Sequence, residues 1–180
     1  MDCTKNSGEL NSQPGSGSFS IEIEGTSGHC PAGEKRGGEN ILRKAVPVLS
    51  CEGACIRGEI ARTAANIIAK EEGYARGCHG ELLTVPDSAI SKWIRNAEKV
   101  VVIDGCFLKC HMRIFKNIIN ESKIKSFDAL SYYNMYTEYF DPESVPEEER
   151  RTVAEDVAAK VLSALNNKTE SITGSCGKCL

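Results

Sequence analysis

The stretch Lys99-Val100-Val101-Val102-Ile103-Asp104-Gly105-Cys106-Phe107-Leu108-Lys109-Cys110 decides the fold. Its first half is an unbroken run of β-branched residues, the pattern of a strand buried on both faces. Its second half turns at Gly105 and leads into Phe107–Glu121, where Phe115, Ile118 and Ile119 recur at helical spacing. The same order occurs earlier in the chain. Ala45–Ser50 reads as a short strand, with Pro47 tolerable near its start or at an edge. Cys51-Glu52-Gly53-Ala54-Cys55 follows it, and Ile56, Ile60, Ala64, Ile67 and Ile68 then form one apolar stripe that ends near Gly73. Strands that alternate with helices imply a parallel sheet covered on both faces.

The remaining elements extend this plan. Asp87 or Ser88 caps a helix through Trp93 to about Ala97, Ile124–Tyr133 reads as a strand, and Val153, Val157, Val161 and Leu165 mark a last helix. One further strand falls between the first two helices, at Tyr74–Cys78 or at Glu81–Val85. Strand propensity favours Glu81–Val85. The expected class is an α/β, Rossmann-like three-layer sandwich whose mostly parallel sheet has about four strands. Residues 1–40 are rich in Gly, Ser, Asn and Glu and read as a disordered arm. Residues 41–167 hold the α/β domain, and residues 168–180 a flexible tail containing Cys176-Gly177-Lys178-Cys179.

Composition narrows the function. Among 180 residues, 41% are hydrophobic, so a core can form without disulfide staples. A net charge of -3 argues against nucleic acid or an anionic membrane as partner. No apolar run approaches the roughly 20 residues of a membrane span. Met1–Ser20 holds no apolar signal core, so the expected compartment is the reducing cytoplasm. There, nine cysteines point to metal binding or thiol chemistry rather than to disulfides.

Both Cys-x3-Cys pairs are expected at the carboxyl ends of parallel strands, where ligands of such sheets bind. Cysteines four apart on a first helical turn share one face, so Cys51, Cys55, Cys106 and Cys110 are expected to converge as thiolate ligands of a soft metal, most readily Zn²⁺. Two helix N-termini would offset the thiolate charge, with Arg57, Lys109 and Arg113 adding to it. Asp104 is assigned a structural role, accepting backbone hydrogen bonds and shaping the turn at Gly105. His79 and His111 read as solvent-facing residues rather than ligands.

Asp104-Gly105-Cys106 followed by Cys110, with Ser50-Cys51-Glu52-Gly53 upstream, resembles the signature of the DGC-domain family. The resemblance spans roughly Val46–Ile119. It implies zinc chelation by four cysteines, here Cys51, Cys78, Cys106 and Cys110, with Cys78 in place of Cys55. It thereby favours Tyr74–Cys78 as the strand, against propensity.

Two alternatives differ in chemistry. Cys51 and Arg57 resemble the oxyanion loop of low-molecular-weight tyrosine phosphatases and arsenate reductases, which implies a thiolate nucleophile with an arginine clamp. Asp141-Pro142 echoes that family's general acid, whereas Gly58 replaces its hydroxyl residue. In the other alternative, Cys176 and Cys179 relay metal or disulfides from the tail.

Overall fold

A computed structural model describes residues 19–170. Strands β1 (Val46–Ser50), β2 (Tyr74–Arg76), β3 (Val100–Asp104) and β4 (Ile124–Asp128) form one parallel sheet in the order β2-β1-β3-β4. The α/β class and the mostly parallel sheet are as the sequence leads one to expect. Helices α2 (Ile56–Ile68) and α7 (Glu147–Glu170) cover one face. Helices α3 (His79–Thr84), α4 (Ala89–Asn96) and α5 (Cys110–Phe115) lie on the other. A short helix α6 (Leu130–Tyr133) follows β4.

Alternation along the strands divides the core. Val48, Val101 and Ile103 pack with Ile56, Ile60, Ala64, Ile68, Val157 and Val161. Leu49, Val100 and Val102 face Leu82, Ile90, Trp93, Ile94 and Phe115. Every residue of β3 is buried, which is why its sequence is a continuous apolar run. The Trp93 indole N–H donates to Ala45 O at 2.8 Å, so the largest core side chain is also satisfied.

Several elements differ from expectation. Residues 31–42 form a helix, α1 (Pro31–Leu42), most of which lies in the segment 1–40 read as a disordered arm. It packs on α4 through backbone proximity rather than an apolar stripe: a Cβ on Gly37 would stand 2.5 Å from Ile90 N. Glu34 of α1 accepts the Ala89 N–H at 2.8 Å and so caps α4. The strand between α2 and α4 is Tyr74–Arg76, while Glu81–Val85, favoured by propensity, is mostly helical. Ile124–Tyr133 is a strand only to Asp128. The helix expected over Phe107–Glu121 is only Cys110–Phe115.

Candidate functional site

The site is built at the carboxyl edge, where β1, β2 and β3 end in cysteine-bearing turns. Cys51 directly follows β1, and its N–H donates to Ile103 O at 2.8 Å as a last rung of the ladder. Cys55 is the N-cap of α2 and Cys78 that of α3. Cys106 follows β3, and Cys110 opens α5. Cys51, Cys55 and Cys106 are half-buried, Cys78 and Cys110 exposed, and all are free thiols.

These thiols share an edge without forming a ligand shell. Among the described residues, no group of three or more His, Cys, Asp or Glu side chains is arranged to hold a metal ion. This overturns the expectation of a converging zinc cluster, whether composed with Cys55 or with Cys78. The reason lies in the turns. Neither pair sits on a helical turn, because α2 begins at Ile56, after Cys55, and α5 begins at Cys110, after Cys106. The second turn also passes through Lys109 in the left-handed region, at φ 48, which breaks the helical phase that would align Cys106 with Cys110. Cys51 and Cys106 remain near enough to be felt. Burial, then the charges of Cys51, Cys106 and Asp104, push the Cys110 thiol up, against the pull of Arg113. Cys176 and Cys179 lie outside the described residues.

The three residues Asp104, Gly105 and Cys106 have separable roles. Asp104 is 1% exposed, and its carboxylate accepts the N–H groups of His111 at 2.9 Å and Met112 at 3.2 Å, capping α5. Its expected structural role is therefore met. Burial raises its pKa more than these bonds lower it. Gly105 permits the first turn of α2 to lie against it, since a Cβ there would come within 2.8 Å of the Arg57 carbonyl carbon and oxygen. A Cβ on Gly58 would collide with the Gly53 carbonyl. The two turns are thus locked backbone to backbone, and residue 58 has no room for the hydroxyl side chain of a phosphatase loop. Arg57 Nη1 reaches away to Thr137 O at 3.4 Å.

Within the first turn, Cys51 Sγ accepts the N–H of Gly53 at 3.4 Å. Around it lies a polar network. Glu52 Oε1 accepts from the Ser50 hydroxyl at 2.8 Å and from Arg76 Nη2 at 2.7 Å. Arg76 also donates to Val48 O and Asn66 Oδ1, so its charge is anchored across β1 and α2. Burial raises the Glu52 carboxyl, but the Ser50 hydroxyl, Arg76 and His79 outweigh it and hold the pKa below its ordinary value.

His79 and His111 are 16% and 18% exposed, contrary to the expectation that they face solvent. Their rings stand 5.5 Å apart, and His79 stacks on Phe115 at 5.1 Å. Burial, then the Arg76 charge, push the His79 pKa down to about 4, against the pull of Glu52. No spacing in the sequence marks these histidines, because their partners are backbone groups of a distant turn. The Tyr132 and Tyr133 rings pack under α7 beside the core. Tyr133 has its pKa strongly raised, chiefly by burial. A groove of about 240 Å³ between α2 and α7 contains the Glu59–Arg150 pair but none of the cysteines.

A parallel sheet with thiols in the turns that leave its carboxyl edge, two of those turns locked together through glycines, defines the class of α/β domain. The DGC-domain family model matches residues 47–163, and the chain belongs to that family. α1 precedes the matched segment. No curated protein and no solved structure matches the chain. Among the described residues, no helix is long and apolar enough to cross a membrane.

Proposed function

We propose that the carboxyl edge is a thiol reaction site with Cys51 as the reacting group. The supporting observation is the Gly53 N–H directed at Cys51 Sγ within a turn held rigid by glycine packing. That N–H fixes the sulfur in the turn and places a donor where charge gathers on Sγ as it attacks. Cys110 is the complement, because burial and then the charges of Cys51, Cys106 and Asp104 push its thiol up.

The reaction class that suits such a pair is thiol–disulfide exchange. The Cys51 thiolate attacks a disulfide sulfur of the substrate and forms a mixed disulfide. The other half of the substrate leaves as a thiolate and takes a proton from water. A second edge thiol, Cys106 or Cys110, gives its proton to water and attacks Cys51 Sγ as a thiolate; a Cys51 disulfide forms, the mixed disulfide breaks, and the substrate's remaining sulfur leaves as a thiolate that takes up a proton. A small-molecule thiol such as glutathione, oxidised to its own disulfide, returns the Cys51 disulfide to thiols and closes the cycle, and the reducing cytoplasm is the compartment that supplies it.

Cys30 and Cys78 are exposed and serve as internal references. Exposing the reduced protein to glutathione disulfide and mapping the adducts by peptide mass spectrometry tests the reading. Cys51 is expected to acquire glutathione first, despite being less exposed, and Cys51→Ser to leave the other thiols slow. Modification of Cys30 or Cys78 ahead of Cys51 would refute it.

A further inference from the structure

The two edges of the sheet are finished differently. β2 is three residues long, and its outward-facing Tyr74 is satisfied within the chain. The Tyr74 N–H donates to Glu71 O at 3.2 Å, and its carbonyl accepts from Arg43 Nη2 at 3.1 Å. β4 has five residues and pairs only with β3. The Ala129 N–H donates to Asp104 O at 2.8 Å, which fixes the alternation along the strand. The backbone groups of Lys125 and Phe127 therefore face β3, and those of Ile124, Ser126 and Asp128 face outward. The Ile124 N–H is taken by Glu121 O, and Asp128 O by the Ser131 hydroxyl. The Ile124 carbonyl, both Ser126 groups and the Asp128 N–H have no hydrogen-bond partner among the described residues. Such a row of strand groups is a template for one more strand.

The edge also selects what can pair with it. Phe127 packs on the α2/α7 side, which places Lys125 on that side and Ile124 and Ser126 on the other. Two-fold pairing of β4 with itself would set Lys125 near its own copy, so an acidic strand is favoured instead. The chain carries one. Phe19, Ile21 and Ile23 alternate with Ser20, Glu22 and Glu24, the pattern of a half-buried strand. Yet these three apolar residues are 87%, 70% and 44% exposed, and the segment joins no helix or strand of its own chain. It precedes the residues that the family model matches and is tied down just after Gly25, where the Thr26 N–H donates to Thr84 O at 2.9 Å. Laid along β4 with Glu22 and Glu24 on the Lys125 side, it brings Ile21 and Ile23 to the side of Ile124 and the partly buried Ile118.

We infer that Phe19–Glu24 of one copy adds as a fifth strand to the β4 edge of a second copy, and that the exchange is mutual. Ile21 and Ile23 gain apolar neighbours, the glutamates meet Lys125, and a two-fold dimer closes both β4 edges at once.

Sedimentation velocity of the full chain under reducing conditions, over a range of protein concentrations, tests the exchange. Amide hydrogen exchange at Ser126 and Asp128 is read on the same samples. A monomer–dimer equilibrium is expected, with both amides gaining protection as dimer forms. Ile21→Pro removes a strand N–H at an exposed residue outside the sheet and is expected to weaken the dimer by about tenfold or more. Lys125→Glu is expected to weaken it by about threefold, and Glu22→Lys with Glu24→Lys to restore it in that background. A monomer at every concentration would overturn the inference, as would a dimer indifferent to Ile21→Pro. Protection of Ser126 and Asp128 in the monomer, lost in Ile21→Pro, would mean that the segment pairs within its own chain and would equally overturn it.

Discussion

Two Cys-x3-Cys turns of equal length leave the neighbouring strands β1 and β3, yet they are built differently. The first, Cys51–Cys55, enters the 13-residue helix α2 through an extended N-cap and is bonded on both sides, by Ile103 O and by two histidine rings. The second, Cys106–Cys110, enters a six-residue helix through left-handed Lys109 and carries Phe107 and Leu108 at 71% and 48% exposure. Spacing alone therefore does not define a cysteine site. What the backbone does between the two cysteines decides whether the thiols converge, and here it separates a held turn from an open one.

The sharpest way to break the contrast is to part the turns where they touch. Gly105→Ala places a Cβ against the Arg57 carbonyl, between the turns, and Gly58→Ala places one against the Gly53 carbonyl, inside the first; each is expected to destabilise the fold by about 3 kcal/mol in urea unfolding. A shift below about 1 kcal/mol would mean that the packing is not rigid.

Acid should act on the first turn next. His79 has a folded pKa of about 4, below its ordinary 6.5. The unfolded chain binds this proton first, so the contribution is complete above pH 6.5 and is lost as pH falls from there toward 4. The slope is about 1.4 kcal/mol per pH unit, for a total of up to about 3 kcal/mol. Glu52, held below its ordinary value of 4.5, extends the loss to lower pH. Asp104 runs the other way: its raised pKa gives stability that is complete below its ordinary 3.8 and is lost as pH rises through the folded value. The free energy of unfolding should therefore fall with acid across this range in wild type and fall less steeply in His79→Gln.

Asp104 sharpens the second turn. Asp104→Ala leaves two N–H groups of α5 without their acceptor and should cost about 2 kcal/mol, whereas Asp104→Asn retains one acceptor oxygen and should cost about half as much. Equal losses for the two variants would show that the carboxylate charge, not the cap, matters. The smallest effect is expected at the exposed tip, where Phe107→Ser should stay within about 0.5 kcal/mol. A larger loss would mean that the second turn is as ordered as the first.

The sequence marks the parts that bury apolar side chains and misses those that bury backbone. β3 and the α2 stripe are legible because Val100–Ile103 and Ile56, Ile60, Ala64 and Ile68 face the core at the period of their elements. β2 is three residues long, and its place was indicated by the family resemblance, not by propensity. α1 is invisible to periodicity because Gly37 and Asn40 are its buried residues. At the site, the carboxyl-edge location and the capping role of Asp104 follow from the strand–turn–helix order. Zinc ligation follows from a helical spacing that the turns do not adopt and from a family resemblance that names Cys78, and among the described residues neither set is arranged to hold a metal ion. The contacts of His79 and His111 with the first turn are a tertiary fact with no local signature.

The central claim is that Cys51 in the held turn, and not a cysteine of the open turn, is the reactive thiol. A short pulse of iodoacetamide on reduced, folded protein at neutral pH, quenched and read by peptide mass spectrometry, tests it directly. Cys51 is expected to be alkylated well ahead of Cys106 and Cys110, with the difference vanishing in denaturant. Faster labelling of Cys110 in the folded protein, or equal rates for all three, would contradict the account.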